Sequence, residues 1–265
     1  MSWNGGGCYT GENISSYNIL NKLFEWYLEH NINLQLTFTN PCLEKEDIYD
    51  RYCNTILKIA SEYSNISILI VSDILEDYIK NKYPNIKLDR SLVATRKNQF
   101  NYDINKIKED LNKYNQIVLP KIYLKDWNFL NLIPRDDRER IEIIINETCP
   151  IDCPYSYSHY LKYGLIQLYG NKDSIDTGCM QPDRFKDPFV YYRAEQNNAI
   201  LKLSELNQYE ENGFISMKIS GRYYPIVAIL QTIDYFIKPE YRTDVLTFLF
   251  KPFENEQYNN FIFDN

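Results

Sequence analysis

The chain has 265 residues, a net charge of −7 and an ordinary apolar fraction of 44%. That length suits a single α/β barrel, typically ~250 residues, better than one β-sandwich. The acidic balance excludes a general polyanion binder and makes RNA a less favoured partner than a small molecule, and no segment reaches the ~20 consecutive apolar residues of a membrane-spanning helix.

Met1-Ser2-Trp3-Asn4 leads into glycines rather than an apolar run, so no signal peptide is read there and a cytoplasmic protein is expected. In that compartment the six cysteines are expected as reduced thiols or ligands rather than disulfides. After the Gly5-Gly6-Gly7 turn, Ser15 or Ser16 suits a helix N-cap. Apolar residues at Ile19, Leu20, Leu23, Phe24, Trp26 and Tyr27 then follow helical spacing. Leu34–Asn40 reads as a strand stopped by Pro41, and Glu46–Ser61 as an amphipathic helix. Ile66–Val71 is a second strand, followed by a helix that closes at Tyr83-Pro84-Asn85. Ile86–Ala94 is strand-like and ends at Thr95-Arg96. A helix over Ile104–Tyr114, a short strand over Gln116–Pro120 and a short helix over Trp127–Ile133 come next. The strand that opens at Ile141 breaks into a loop bearing Cys149, Cys153, His159 and Cys179. A helix over Ala199–Tyr209, a strand over Phe214–Ile219 and a helix from Pro225 to Ile237 complete the order.

Strands alternating with helices at short spacing predict parallel βαβ units. At least six such units without a break in composition predict a TIM-like (β/α) barrel over residues 1–240, with 241–265 as an aromatic C-terminal extension docked on it. No strand is read before the Trp3 turn, whereas a closed barrel needs eight. The first strand is therefore absent, supplied by a partner, or replaced by an irregular wall. Function in a barrel sits at the carboxyl ends of the strands. Those ends carry Asn40, Asp73, Arg96, Lys121, Asn146 with Glu147, and Lys218 with Arg222. Asn40, Arg96 and Asn146 are candidate substrate-binding residues, the two asparagines with turn closure as the competing role.

Two stretches resemble one family. Phe214-Ile215-Ser216-Met217-Lys218-Ile219-Ser220-Gly221-Arg222 resembles the strand of the collagenase-like peptidases (family U-32) that reads phenylalanine-lysine-isoleucine-glutamate-glycine-arginine. Gly178-Cys179-Met180-Gln181-Pro182-Asp183-Arg184 resembles that family's glycine-x-cysteine-x-glutamine-proline-cysteine-arginine segment. The resemblance implies a (β/α) barrel. In several members it also implies a [4Fe-4S] cluster held by four cysteines and used in oxygen-independent hydroxylation of quinone precursors or RNA bases; other members are regarded as peptidases. This chain departs at Asp183 and Ser220, and no cysteine follows Cys179.

Cys149, Cys153 and Cys179 are candidate metal ligands, because thiolates suit iron-sulfur clusters and zinc. His159 is a candidate fourth ligand, alongside Asp183, Cys8, Cys42, Cys53 or a substrate atom. On ligand count alone a Cys3His zinc site is an equal alternative. The competing reading is three buried thiols behaving as small apolar side chains. Lys218 and Arg222 are candidate catalytic residues that clamp an acidic group, with pairing to Glu147 or Asp183 as the competing role. Glu147 is the candidate proton carrier. The resulting expectation is an iron-sulfur or zinc enzyme modifying a small aromatic or nucleobase-like substrate. The alternatives are a regulatory barrel that pairs with a homologous catalytic barrel or with itself, and a peptidase.

Overall fold

The structure, a computed structural model, describes residues 2–5, 17–97, 101–147, 149–151, 153–170, 199–220, 232, 233 and 236. Six parallel strands lie in the order of the sequence: β1 (Leu34–Phe38), β2 (Ile66–Ile70), β3 (Lys87–Arg90), β4 (Gln116–Val118), β5 (Ile141–Ile144) and β6 (Ser216–Lys218). Helices fill the crossovers: α1 (Tyr17–Glu29) precedes β1, α2 (Arg51–Ala60) and α3 (Asp73–Lys82) follow β1 and β2, and α4 (Leu92–Arg96) and α5 (Ile104–Lys113) follow β3. Beyond β4 lie α6 (Trp127–Leu130), then α7 (Ser156–Tyr169) and α8 (Leu203–Glu211) between β5 and β6. The sheet curls into a half-barrel. Its first and last strands meet across the concave face, where the Lys218 ammonium donates to Gln35 Oε1 at 3.0 Å.

The curl follows from what each face carries. Side chains alternate along a strand. One set, including Ile68, Ile70, Ile117, Ile141 and Ile143, is fully buried in the core beneath the helices. The other set, facing the concavity, is largely polar: Gln35, Ser67, Asp89, Gln116, Glu142, Ser216 and Lys218. These groups satisfy one another. The Asp89 carboxylate accepts from Gln35 at 2.8 Å, Ser67 at 2.5 Å and Asn115 at 3.1 Å. Gln116 donates to Ser216 at 2.5 Å, and Lys218 pairs with Glu142 at 2.6 Å. At the carboxyl end the concave face turns apolar, with Leu69, Val118 and Ile144 packed against Leu92.

Residues 2–5 run beside the end of β1. The Asn40 amide donates to the Trp3 carbonyl at 2.9 Å, and the Trp3 indole donates to the Asp47 carbonyl at 2.7 Å. Trp3 is fully buried edge-on to Phe38. The approach is so close that a Cβ on Gly5 would fall 2.0 Å from the Thr39 carbonyl oxygen, which only glycine permits.

Three expectations on secondary structure change. The helix expected over Glu46–Ser61 is a 3-10 turn, Lys45–Tyr49, followed by α2. The break falls at Asp50, whose carboxylate caps α2 by accepting from the Cys53 amide at 2.9 Å. The strand expected over Ile86–Ala94 ends at Arg90, because Ser91 caps α4 by accepting from the Val93 amide. His159 lies on a fourteen-residue helix rather than in a loop. The six strands among the described residues match the six units expected, where a closed barrel requires eight. The C-terminal extension at 241–265 lies outside the described residues.

Asp89 is 1% exposed, whereas its donors Gln35, Ser67 and Asn115 keep some exposure and can rehydrate. Asp89→Ala is expected to lower unfolding free energy by about 1.5–3 kcal/mol, the scale for hydrogen bonds to a charged group. Asp89→Asn, which keeps the shape and one acceptor, is expected to cost less; both are read from urea midpoints. The acid limb of stability has its own sources. Burial pushes the Asp50 carboxyl up, but hydrogen bonds from the Cys53 amide and from Ser2 outweigh it and hold it below the usual range. Glu76 is likewise raised by burial, and lowered by more through Lys80, Tyr114 and Lys113. For both groups the unfolded chain binds the proton more readily. Their contribution is therefore whole above roughly pH 4, the unfolded value, and is lost as pH falls through the folded ones. Glu76→Gln is expected to flatten the fall of the urea midpoint below that pH, and an unchanged slope would refute the assignment.

Candidate functional site

The carboxyl ends of β3, β4 and β5 converge on one buried cluster. Arg96 arrives on the last turn of α4, Lys121 directly after Pro120 beyond β4, and Glu147 and Cys149 just past β5. The Arg96 guanidinium donates to Glu147 Oε2 at 2.6 Å and lies 4.9 Å from the centre of the Tyr160 ring, on α7. The other carboxylate oxygen of Glu147 accepts from the Cys149 amide at 2.9 Å. One carboxylate thus fixes both the cation and the start of the cysteine loop. The Lys121 ammonium donates to the Pro150 carbonyl at 2.5 Å, and the Cys153 amide returns to that same carbonyl at 3.2 Å. This turn sets Cys149 and Cys153, both buried, on one short loop, with Cys149 close enough to bear on the Cys153 thiol.

The electrostatics are lopsided toward positive charge. Arg96 and Lys121 are 6% and 4% exposed, and among the described residues Glu147 pairs with Arg96 while no carboxylate lies within ion-pair distance of Lys121. Burial and the neighbouring Arg96 charge push the Lys121 ammonium down, against the pull of Cys149 and Glu147. Burial opposes the Arg96 charge too, but Tyr160, Glu147 and Cys149 outweigh it and hold the guanidinium protonated. Burial, then Cys149, pushes the Cys153 thiol up. Two buried polar atoms here, Arg96 Nε and Ser156 Oγ, have no hydrogen-bond partner. The void among Leu92, Leu119, Lys121, Leu124, Ile143 and Glu147 is about 10 Å³, the size of a single water.

The expected residues divide into three groups. Cys149, Cys153, Glu147 and Arg96 come together as one cluster. His159 is buried on α7, one residue before Tyr160, and no group of three His, Cys, Asp or Glu side chains is gathered for a metal among the described residues. Cys179, Arg222, Asp183 and Cys8 lie outside the described residues.

The third group is committed elsewhere. Lys218 sends its ammonium to Glu142 and Gln35, not to Glu147, so it serves the polar concavity. Asn40, fully buried, donates to the carbonyls of Ser2 at 2.6 Å and Gly164 at 3.1 Å and accepts from the Cys42 amide. Asn146 exchanges two hydrogen bonds with the Ser220 backbone, at 2.8 Å and 2.6 Å. Both asparagines therefore spend their amides on internal joints. Cys42 donates to the Leu161 carbonyl at 3.3 Å. Cys53 is core, its thiol pushed up to about 12, chiefly by burial.

Sequence reasoning placed Lys121 at a strand end without giving it a role, and missed Tyr160 as the cushion under Arg96. The signal for Lys121 was its position directly after a strand-ending proline. Tyr160 carried no signal until the segment was known to be helical. No protein-family model, curated protein or solved structure matches this chain.

Proposed function

We propose that the cluster at the carboxyl end of the sheet is a thiolate-ligated metal centre of iron-sulfur type, with zinc as the alternative metal. The chain would then be an enzyme of the U-32-like barrel kind, modifying a small aromatic or nucleobase-like substrate, oxygen-independent hydroxylation being the chemistry that the resemblance implies. The observation that supports this reading is one juxtaposition: two buried thiols on one short loop beside two buried cations.

The donor set fits such a group. Thiolates bring negative charge into a dry site, where it must be offset. Arg96 and Lys121 supply an offset that Glu147 cancels only in part. The unpartnered Arg96 Nε and Ser156 Oγ are donors suited to a sulfur or a ligated oxygen. An iron-sulfur cluster supplies one-electron transfer and, with an incomplete thiolate set, an open iron for substrate. The chain's own residues do the rest. Glu147 orients Arg96 and the Cys149 amide, Lys121 holds the loop carbonyl between the cysteines, and Tyr160 screens the guanidinium from water. Cys179 and His159 are the remaining candidate ligands in this reading, and Arg222 the candidate anion clamp. A regulatory half-barrel that pairs with a catalytic homologue or a second copy is the rival reading, favoured by the count of six described strands.

Anaerobically purified protein is expected to carry iron with acid-labile sulfide and a visible charge-transfer band, or else zinc. Cys149→Ser and Cys153→Ser are each expected to abolish the bound metal, whereas Cys53→Ser, in the core, retains it. Lys121→Gln is expected to weaken retention by roughly 10–100-fold, the scale for groups that support a metal site from behind its ligands. Folded wild-type protein containing neither iron nor zinc would overturn the assignment. Cys149→Ser that loses metal but keeps a homologous partner bound would favour the pairing reading.

A further inference from the structure

We propose that the amino end of the half-barrel, opposite the thiol cluster, is a binding site for a small, uncharged, polyhydroxylated molecule of about monosaccharide size. A cavity of about 470 Å³ opens there below the starts of β1, β2, β3 and β4. That volume lies within the ~300–1,000 Å³ of small-molecule sites. It dwarfs the void of about 10 Å³ at the other end.

The lining decides the class of ligand. Amides of Asn33, Asn65, Asn115 and Gln116 and hydroxyls of Ser64 and Ser67 surround the space. Amides and hydroxyls offer donors and acceptors together, as the hydroxyl groups of a sugar do. Asn65 is anchored in this wall: its Nδ2 donates to the Ile32 carbonyl at 2.7 Å, while its Oδ1, buried behind the cavity surface, accepts from no protein donor.

Charge selects against ionic ligands. At the floor, Asp89 is already bound by three donors and Glu142 by Lys218. Arg140, in the wall, spends its guanidinium on the carbonyls of Asn115, Leu111 and Tyr114. The remaining charges in the lining, Lys87 and Glu139, are opposite in sign. An ion entering this space would give up water for exposed, solvent-screened counter-charges only, Lys87 for an anion and Glu139 for a cation. Leu34, Ile66 and the 62% exposed Ile215 add an apolar strip in the same lining. A sugar ring, polar at its edge and apolar on its C–H face, matches both surfaces.

The test titrates the full chain with D-glucose, D-ribose and myo-inositol against glucose 6-phosphate, glucuronate and glucosamine. Calorimetry and melting temperature report binding, and amide NMR shifts report the place. At least one neutral probe is expected to bind saturably, to raise the melting temperature by mass action, and to shift the Asn65 and Ile215 amides. Its charged counterpart is expected to bind at least about tenfold more weakly. Ser64→Trp and Asn33→Trp, which fill the exposed wall without touching the floor network, are each expected to weaken binding by about tenfold or more. The Cys149→Ser variant is expected to bind like wild type, because the two ends are independent. The proposal is overturned if no neutral probe saturates, if charged probes bind as tightly, or if the shifts fall away from Asn65 and Ile215. Binding that survives either tryptophan in a folded variant overturns it as well.

Discussion

A single buried carboxylate sets the terms for the sheet. Asp89 sits on β3, near the middle of the strand order, and draws in side chains from β1, from β2 and from the residue before β4. A charge removed from water must be met by hydrogen bonds at fixed geometry. Meeting it from three segments pulls neighbouring strands into one concave arc. It also pins register. A slip of one residue would turn Asp89 toward the helices and carry Leu88 into the polar concavity. Ionic pairing of Lys218 with Glu142 and its bond to Gln35 complete the same arc from the far edge. Curvature in this protein is therefore an electrostatic outcome, whereas adhesion of helices to sheet is a hydrophobic one.

The helical layer contains its own buried polar joints. Tyr114 donates to Glu76 and Tyr102 to Asp110, tying α3 and α5 to the ends of neighbouring segments. Arg90 lies over the Tyr114 ring at 5.2 Å and near Asp110. On the opposite flank, Asn40 joins the N-terminal segment to α7. There Gly164 is so close that a Cβ would fall 2.4 Å from the Asn40 amide oxygen. That joint fixes the helix bearing His159 and Tyr160, and so the position of the aromatic ring under Arg96. The thiol cluster is held from two sides, by β-strand ends on one and by α7 on the other.

The order of elements was legible because long apolar runs such as Ile66–Ile70 and amphipathic stretches such as Ile104–Lys113 have periods that tertiary contacts do not override. The failures have specific causes. Val93 and Thr95 are β-branched and read as strand, but the Ser91 cap and burial of that turn favour a helix. The Tyr155–Tyr160 segment lacks a side-chain cap and a clean apolar stripe, so α7 gave no start signal. Of the candidate site, Cys149, Cys153, Glu147 and Arg96 were named from chain position alone, and the structure draws them together. Lys218 was placed on the correct strand but at the wrong end of the concavity. Strand position does not fix where a four-carbon stem delivers its charge. The polar row Gln35, Ser67, Asp89, Gln116, Glu142 went unread because each residue comes from a different strand, so no single segment displays the row.

Strand order identical to sequence order has a temporal consequence. Each described strand pairs with the one made just before it, so the sheet can grow by addition at one edge as the chain emerges, with the shorter-range pairings from β1 to β5 coming first. The Asp89 acceptors fill early, since Gln35 and Ser67 precede it and Asn115 follows closely. Glu142 is different. Its lysine lies seventy-six residues downstream, on the last described strand. Until β6 docks, Glu142 lacks the lysine that neutralises it in the finished sheet. Completion of the arc therefore brings charge compensation together with apolar contact.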